Sequence, residues 1–151
     1  MTLPRRTPMP RGNGLRRTSG KPKPRKATGP TVTTREVVWA RAGGRCELCG
    51  GSLAGMVGFS VHHRLPRRMG GSSRPELNTP ANLILLCGSG TTGCHGRVEA
   101  NREQAYTDGL ILHDGTDPTR EPVMLTNTAV SAWPQVLWLT EDGTYSQEPP
   151  A

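Results

Sequence analysis

Residues 82–95 run Asn82-Leu83-Ile84-Leu85-Leu86-Cys87-Gly88-Ser89-Gly90-Thr91-Thr92-Gly93-Cys94-His95. Leu83 to Leu86 is a short, unbroken apolar run, which suits a buried strand or a turn into the core. It ends on a cysteine. Gly88 to Gly93 carries no apolar side chain and reads as a flexible loop. After a second cysteine a helix is expected from Cys94 to about Tyr106, stopped at Asp108-Gly109. His95 opens that helix, and Glu99 lies one turn on along the same face. Two ligand-type side chains at i and i+4 on a helix suit a metal ion.

Toward the N-terminus, Cys46-Glu47-Leu48-Cys49-Gly50 forms a knuckle-like turn. A CxxC turn sets two thiolates on one side, and Cys87 and Cys94 supply the second pair, so the four complete a tetrahedron around Zn²⁺. Six residues separate Cys87 from Cys94, a loose spacing that the loop can absorb by bulging outward. Such a site is coordinatively closed, so it explains folding and no chemistry. A thioredoxin-like motif would need a βαβ setting, and haem attachment would need C-x-x-C-H. Two disulfides in a secreted protein are the remaining alternative.

Met56 to His63 alternates loosely and reads as a strand. It ends on His62 and His63, whose side chains must point to opposite faces. His62, His95 and Glu99 could then hold one divalent ion with open positions, while His63 stays unligated as a general base. Pro66, Gly70-Gly71, Ser72-Ser73, Pro75 and Pro80 make residues 64–80 a loop. Arg64, Arg67, Arg68 and Arg74 crowd that loop as phosphate contacts, with a solvated loop as the alternative. Arg97 and Arg102 lie on the His95 helix. Before the first cysteine, Thr33-Thr34-Arg35-Glu36 matches a capping box that opens a short helix through Ala40, ended by Gly43-Gly44.

The chain has 151 residues, of which 33% are hydrophobic, and 33 Gly and Pro together. A small core stapled by a metal fits that composition better than a large close-packed one. The net charge of +7 is unevenly spread. Residues 1–30 hold nine Lys/Arg, six prolines and no acidic residue, as expected of a disordered basic arm that would condense on phosphate. Residues 31–106 form the main domain. Residues 107–151 are acidic and β-rich, with expected strands at Leu110-Ile111-Leu112, Val123-Met124-Leu125 and Val136 to Leu139 and a hairpin at Asp142-Gly143. No run of 18 apolar residues exists, and the N-terminus lacks an apolar secretory segment. The expectation is a cytoplasmic protein with no membrane partner. His113 reads as structural or solvated, and Trp39, Trp133 and Trp138 as core. No aromatic ladder for stacking single-stranded bases is visible.

Three blocks together resemble the HNH nuclease family: Val61-His62-His63-Arg64-Leu65-Pro66-Arg67-Arg68-Met69-Gly70-Gly71, Asn82-Leu83-Ile84-Leu85-Leu86-Cys87, and Cys94-His95. The resemblance covers roughly residues 34–105 and is closest to the zinc-stapled subgroup found in bacteriophages and restriction systems. It implies a small α+β fold with a ββα-metal (His-Me finger) core and a structural zinc held by four cysteines. It implies a DNA endonuclease, nicking or cutting both strands of double-stranded DNA to leave 5′-phosphate and 3′-hydroxyl ends. By the same resemblance His63 is the general base, Asn82 bonds the loop backbone and orients it, and His62 and His95 are metal ligands. Glu99 stands where relatives often carry His or Lys. The helix bearing Arg97 and Arg102 would dock in a DNA groove. The catalytic ion could be Mg²⁺, Mn²⁺, Ni²⁺, Co²⁺ or Zn²⁺. The phage-like character implies a place beside the terminase in genome packaging. A non-catalytic zinc module that binds nucleic acid is the competing reading.

Overall fold

The computed structural model describes residues 28–67, 72, 74–126 and 133–150. The expected basic arm falls almost wholly outside them, as does Arg68. Among the described residues the fold is a small α+β arrangement of three α-helices and two antiparallel sheets. In chain order the elements are α1 (Val32–Arg41), β1 (Phe59–His63), β2 (Leu83–Cys87), α2 (Gly93–Ala100), α3 (Arg102–Thr107), β3 (Val123–Leu125), β4 (Gln135–Leu139) and β5 (Tyr145–Ser146). β1 pairs with β2, and β3-β4-β5 form the second sheet.

Helix α1 starts slightly earlier than the capping box predicts. Thr31 is the N-cap, and its hydroxyl accepts from the Thr34 amide at 3.1 Å. Val38 and Arg41 turn inward, leaving Val32, Arg35, Glu36 and Trp39 along another face.

Leu83 to Leu86 is the buried strand, with both faces covered because α1 and α2 pack against it. Each such side chain contributes on the order of 1.5–3 kcal/mol. The register sets His62 opposite Ile84 and His63 opposite Leu83. The expected single helix from Cys94 breaks at Asn101, whose backbone leaves the helical region (φ −116°, ψ 60°). The Asn101 side-chain amide donates to the Arg97 carbonyl at 3.0 Å, the local competition that makes Asn a poor interior helix residue.

One core joins Val38, Leu53, Leu83 to Leu86 and Val98 to Leu110, Ile111, Val123, Leu125 and Leu139. The C-terminal segment therefore shares its interior with residues 31–106. Leu110, Ile111 and Leu112 are buried but form no strand. Their amides are taken by Ala105 and Arg64 carbonyls instead of by a neighbouring strand. Trp133, expected in the core, is 79% exposed.

Two buried arginines knit the segments. Arg41 makes a two-pronged pair with Glu47 (3.1 Å on each prong), and the Tyr145 hydroxyl donates to the same carboxylate. Arg64 is 0% exposed. Its guanidinium donates to the carbonyls of Gly109 (2.8 Å), Pro118 (3.0 Å), Glu121 (2.8 Å) and Pro122 (3.0 Å). This corrects the reading of Arg64 as a phosphate contact: every strong donor direction is spent on the chain's own backbone.

Candidate functional site

The four cysteine sulfurs lie within 4.8 Å of one another, with Cys49 and Cys87 3.9 Å apart. Four thiolates around one Zn²⁺ at about 2.3 Å stand roughly 3.8 Å apart, so the donor set matches zinc in number, type and spacing. No disulfide joins them. The 88–93 loop absorbs the wide second spacing through two glycines. Gly88 (φ +84°) and Gly93 (φ +63°) are left-handed, and a Cβ there would stand 2.1 Å from Thr92 O and 2.6 Å from Cys87 O respectively. The fold of that loop brings the Cys94 amide to 3.4 Å from the Cys87 sulfur.

A second donor set forms where β1 meets α2. His62, His95 and Glu99 each turn one ligand atom into a space no wider than 4.8 Å. His62 Nδ1 lies 4.0 Å and His95 Nε2 3.9 Å from the same Glu99 oxygen. These gaps are too long for hydrogen bonds. A contraction of about half an ångström would reach the roughly 3.4 Å spacing of a tetrahedral shell with ~2.1 Å bonds. His62 Nε2–H donates to the Leu110 carbonyl at 2.9 Å. A carbonyl only accepts, so the proton is on Nε2 and the lone pair on Nδ1, turned toward Glu99. His95 Nδ1 is buried without a partner. The other Glu99 oxygen is held by Arg102 at 2.8 Å.

His63, on the opposite face of β1, lines the same cleft of about 230 Å³ with His62, His95, Glu99, Arg67 and Arg102. Its tautomer follows from a short chain of bonds. Asn78 Nδ2 donates to the Thr28 carbonyl (3.3 Å), which turns Oδ1 toward His63 Nε2 (3.1 Å). His63 Nε2 therefore carries the proton, and Nδ1 keeps a free lone pair. Burial lowers the pKa of all three histidines, that of His62 to about 4. Opposing shifts come from the Leu110 carbonyl on His62, Asn78 on His63 and the Glu99 charge on His95. All three imidazoles are neutral at pH 7, the state in which an imidazole can bind a metal or accept a proton.

Asn82 is fully buried. Its Oδ1 accepts from the Leu65 amide (2.7 Å) and its Nδ2 donates to the Leu77 carbonyl (2.9 Å), pinning the loop behind His63. The side chain that bonds the imidazole is Asn78, which sequence reasoning missed; nothing local separates the two asparagines.

Of the remaining arginines, Arg67 and Arg102 line the cleft. Arg74 is paired with Glu76 (2.6 Å) and Asp114 (2.8 Å). Arg97 donates to the Cys94 sulfur at 3.1 Å, so its charge faces the thiol cluster. His113 stacks on Tyr106, ring centroids 4.4 Å apart. No helix among the described residues is long and apolar enough to cross a membrane. Comparison with protein-family models, curated proteins and solved structures finds no match to this chain.

Proposed function

We propose that this chain is a metal-dependent DNA endonuclease of the HNH type, with His63 as the general base. The observation that carries the reading is one cleft holding a neutral imidazole with a free lone pair beside a separate His-His-Glu ligand set. His62 Nδ1, His95 Nε2 and Glu99 would hold a divalent ion. When bound, that ion supplies Lewis-acid stabilisation of the scissile phosphate and of the departing oxygen. His63 takes the proton of the attacking water through Nδ1, while Asn78 holds the ring by its other nitrogen. The Leu110 carbonyl fixes the His62 ring, and Arg102 fixes Glu99. Arg67 and Arg102 offer positive charge to a phosphate in the cleft. Cys46, Cys49, Cys87 and Cys94 would bind a structural Zn²⁺ that ties the knuckle to the start of α2.

Supercoiled plasmid incubated with Mg²⁺, Mn²⁺ or Ni²⁺ tests the reading. The wild-type chain should nick it, and His63→Ala should not, while keeping its fold and its DNA affinity. Equal nicking by both proteins would falsify the catalytic role. No nicking by either, with DNA binding intact, would leave a zinc-stapled binding module.

A further inference from the structure

A larger concavity of about 600 Å³ shares Val61, His63 and Arg67 with the catalytic cleft. One wall is a single face of α1: Val32, Arg35, Glu36 and Trp39 recur at i, i+3, i+4 and i+7. The other is one face of β1, where Phe59, Val61 and His63 alternate. Trp39 and Phe59 meet across the groove with ring centroids 5.1 Å apart and planes at 55°. Phe59 is the only phenylalanine in the chain, yet it is 45% exposed, and Val32 at the lip is 72% exposed. The core side of α1 is already satisfied by Val38 and Arg41. Folding therefore leaves Phe59 and Val32 exposed beside the candidate base, with Trp39 part-buried behind them.

We propose that the groove is the subsite for an unpaired nucleobase of the strand being cut. The preferred substrate is then DNA with a single-stranded or flipped nucleotide next to the scissile phosphate, rather than continuous duplex. This rests on the nuclease reading of the adjoining cleft. A base inside a duplex has both ring faces covered by its neighbours and can meet a groove only by its edges. An apolar groove with an exposed aromatic side chain, Phe59, takes a base that has left the stack. Arg35 and Arg67 at the walls match the phosphates on either side of that base. Glu36, the one carboxylate among the described lining residues, can accept from an exocyclic amino group. Because His63 belongs to both concavities, a strand with its phosphorus beside His63 has its neighbouring base at the groove.

The test measures binding by the full chain without added Mg²⁺, Mn²⁺ or Ni²⁺. Three fluorescein-labelled probes are compared: a mixed-sequence single strand, its duplex, and a backbone of equal length with abasic spacers. The single strand should bind on the order of tenfold more tightly than the abasic backbone, at the same salt slope. Phe59→Ala and Val32→Glu should remove that difference, and Trp39→Phe should retain it. Val32→Glu sits in the exposed first turn of helix α1, which guards against a result that only reports misfolding. Equal binding of base-bearing and abasic strands overturns the proposal. So does concentration-dependent dimerisation that Val32→Glu abolishes without changing base dependence, which would give the groove to a second copy. Plasmid nicking with base-independent binding sinks this proposal alone. Base-dependent binding without nicking sinks the nuclease reading and supports the groove assignment.

Discussion

Replacing Arg64 by leucine separates a structural arginine from a DNA-binding one. The substitution strips the donor from four carbonyls held at 2.8–3.0 Å, those of Gly109, Pro118, Glu121 and Pro122. Bonds from a charged donor contribute about 1.5–3 kcal/mol each, so the gross loss is roughly 6–12 kcal/mol. Part of this is offset because the wild type must bury a cation. Burial pushes the guanidinium well below its ordinary value, to about 10, a penalty of roughly 3 kcal/mol at about 1.4 per pH unit. A net loss of about 5 kcal/mol is expected, a large share of the ~5–15 kcal/mol that holds a typical domain together. In a thermal melt that corresponds to a fall of roughly 10–20 °C. Limited proteolysis should cut first between residues 109 and 122, the segment Arg64 ties down. Arg64→Lys should lose most of the same stability, since one ammonium cannot reach four diverging carbonyls. An Arg64→Leu protein that melts with the wild type and is weakened only toward DNA would refute the structural assignment.

Metal analysis should find one tightly held zinc per chain, and Cys94→Ser or a strong chelator should abolish the cooperative melt; a chain that stays folded without zinc would remove the staple. Asn78→Ala should slow nicking about 10–100-fold with an unchanged melting temperature. Asn82→Ala should instead cost ~1–3 kcal/mol of stability by orphaning the Leu65 amide and Leu77 carbonyl; identical behaviour of the two variants would collapse that distinction. His62 has a folded pKa of about 4 against an ordinary 6.5, so between those values the unfolded chain binds the extra proton. Its contribution is complete above pH 6.5 and is lost as pH falls toward 4, by up to roughly 3 kcal/mol. Urea melts at pH 7 and 4.5 should therefore differ more for the wild type than for His62→Gln, which keeps the same thiol cluster; equal differences would refute it.

Much of the candidate site is legible in the sequence. Paired cysteines, adjacent histidines on a strand and an i, i+4 His-Glu pair are local patterns, and the polypeptide's own periodicity decides which of them share a face. The same holds for Leu83 to Leu86, whose unbroken apolarity suits a strand covered on both sides. Arginine partners were not legible. A long cationic side chain near a histidine cluster looks alike whether it faces an open cleft, as Arg67 and Arg102 do, or four backbone carbonyls, as Arg64 does. Asn78 and Asn82 differ in role only because the 75–82 segment folds back on β1. Trp39 and Phe59, twenty residues apart in the chain, form a groove only when α1 packs beside the β1–β2 sheet. Local chemistry and spacing thus determined which side chains can bind metal. Long-range packing decided which charges stay buried, which imidazole nitrogen carries the proton and which aromatic side chains remain exposed, because each depends on neighbours distant in sequence.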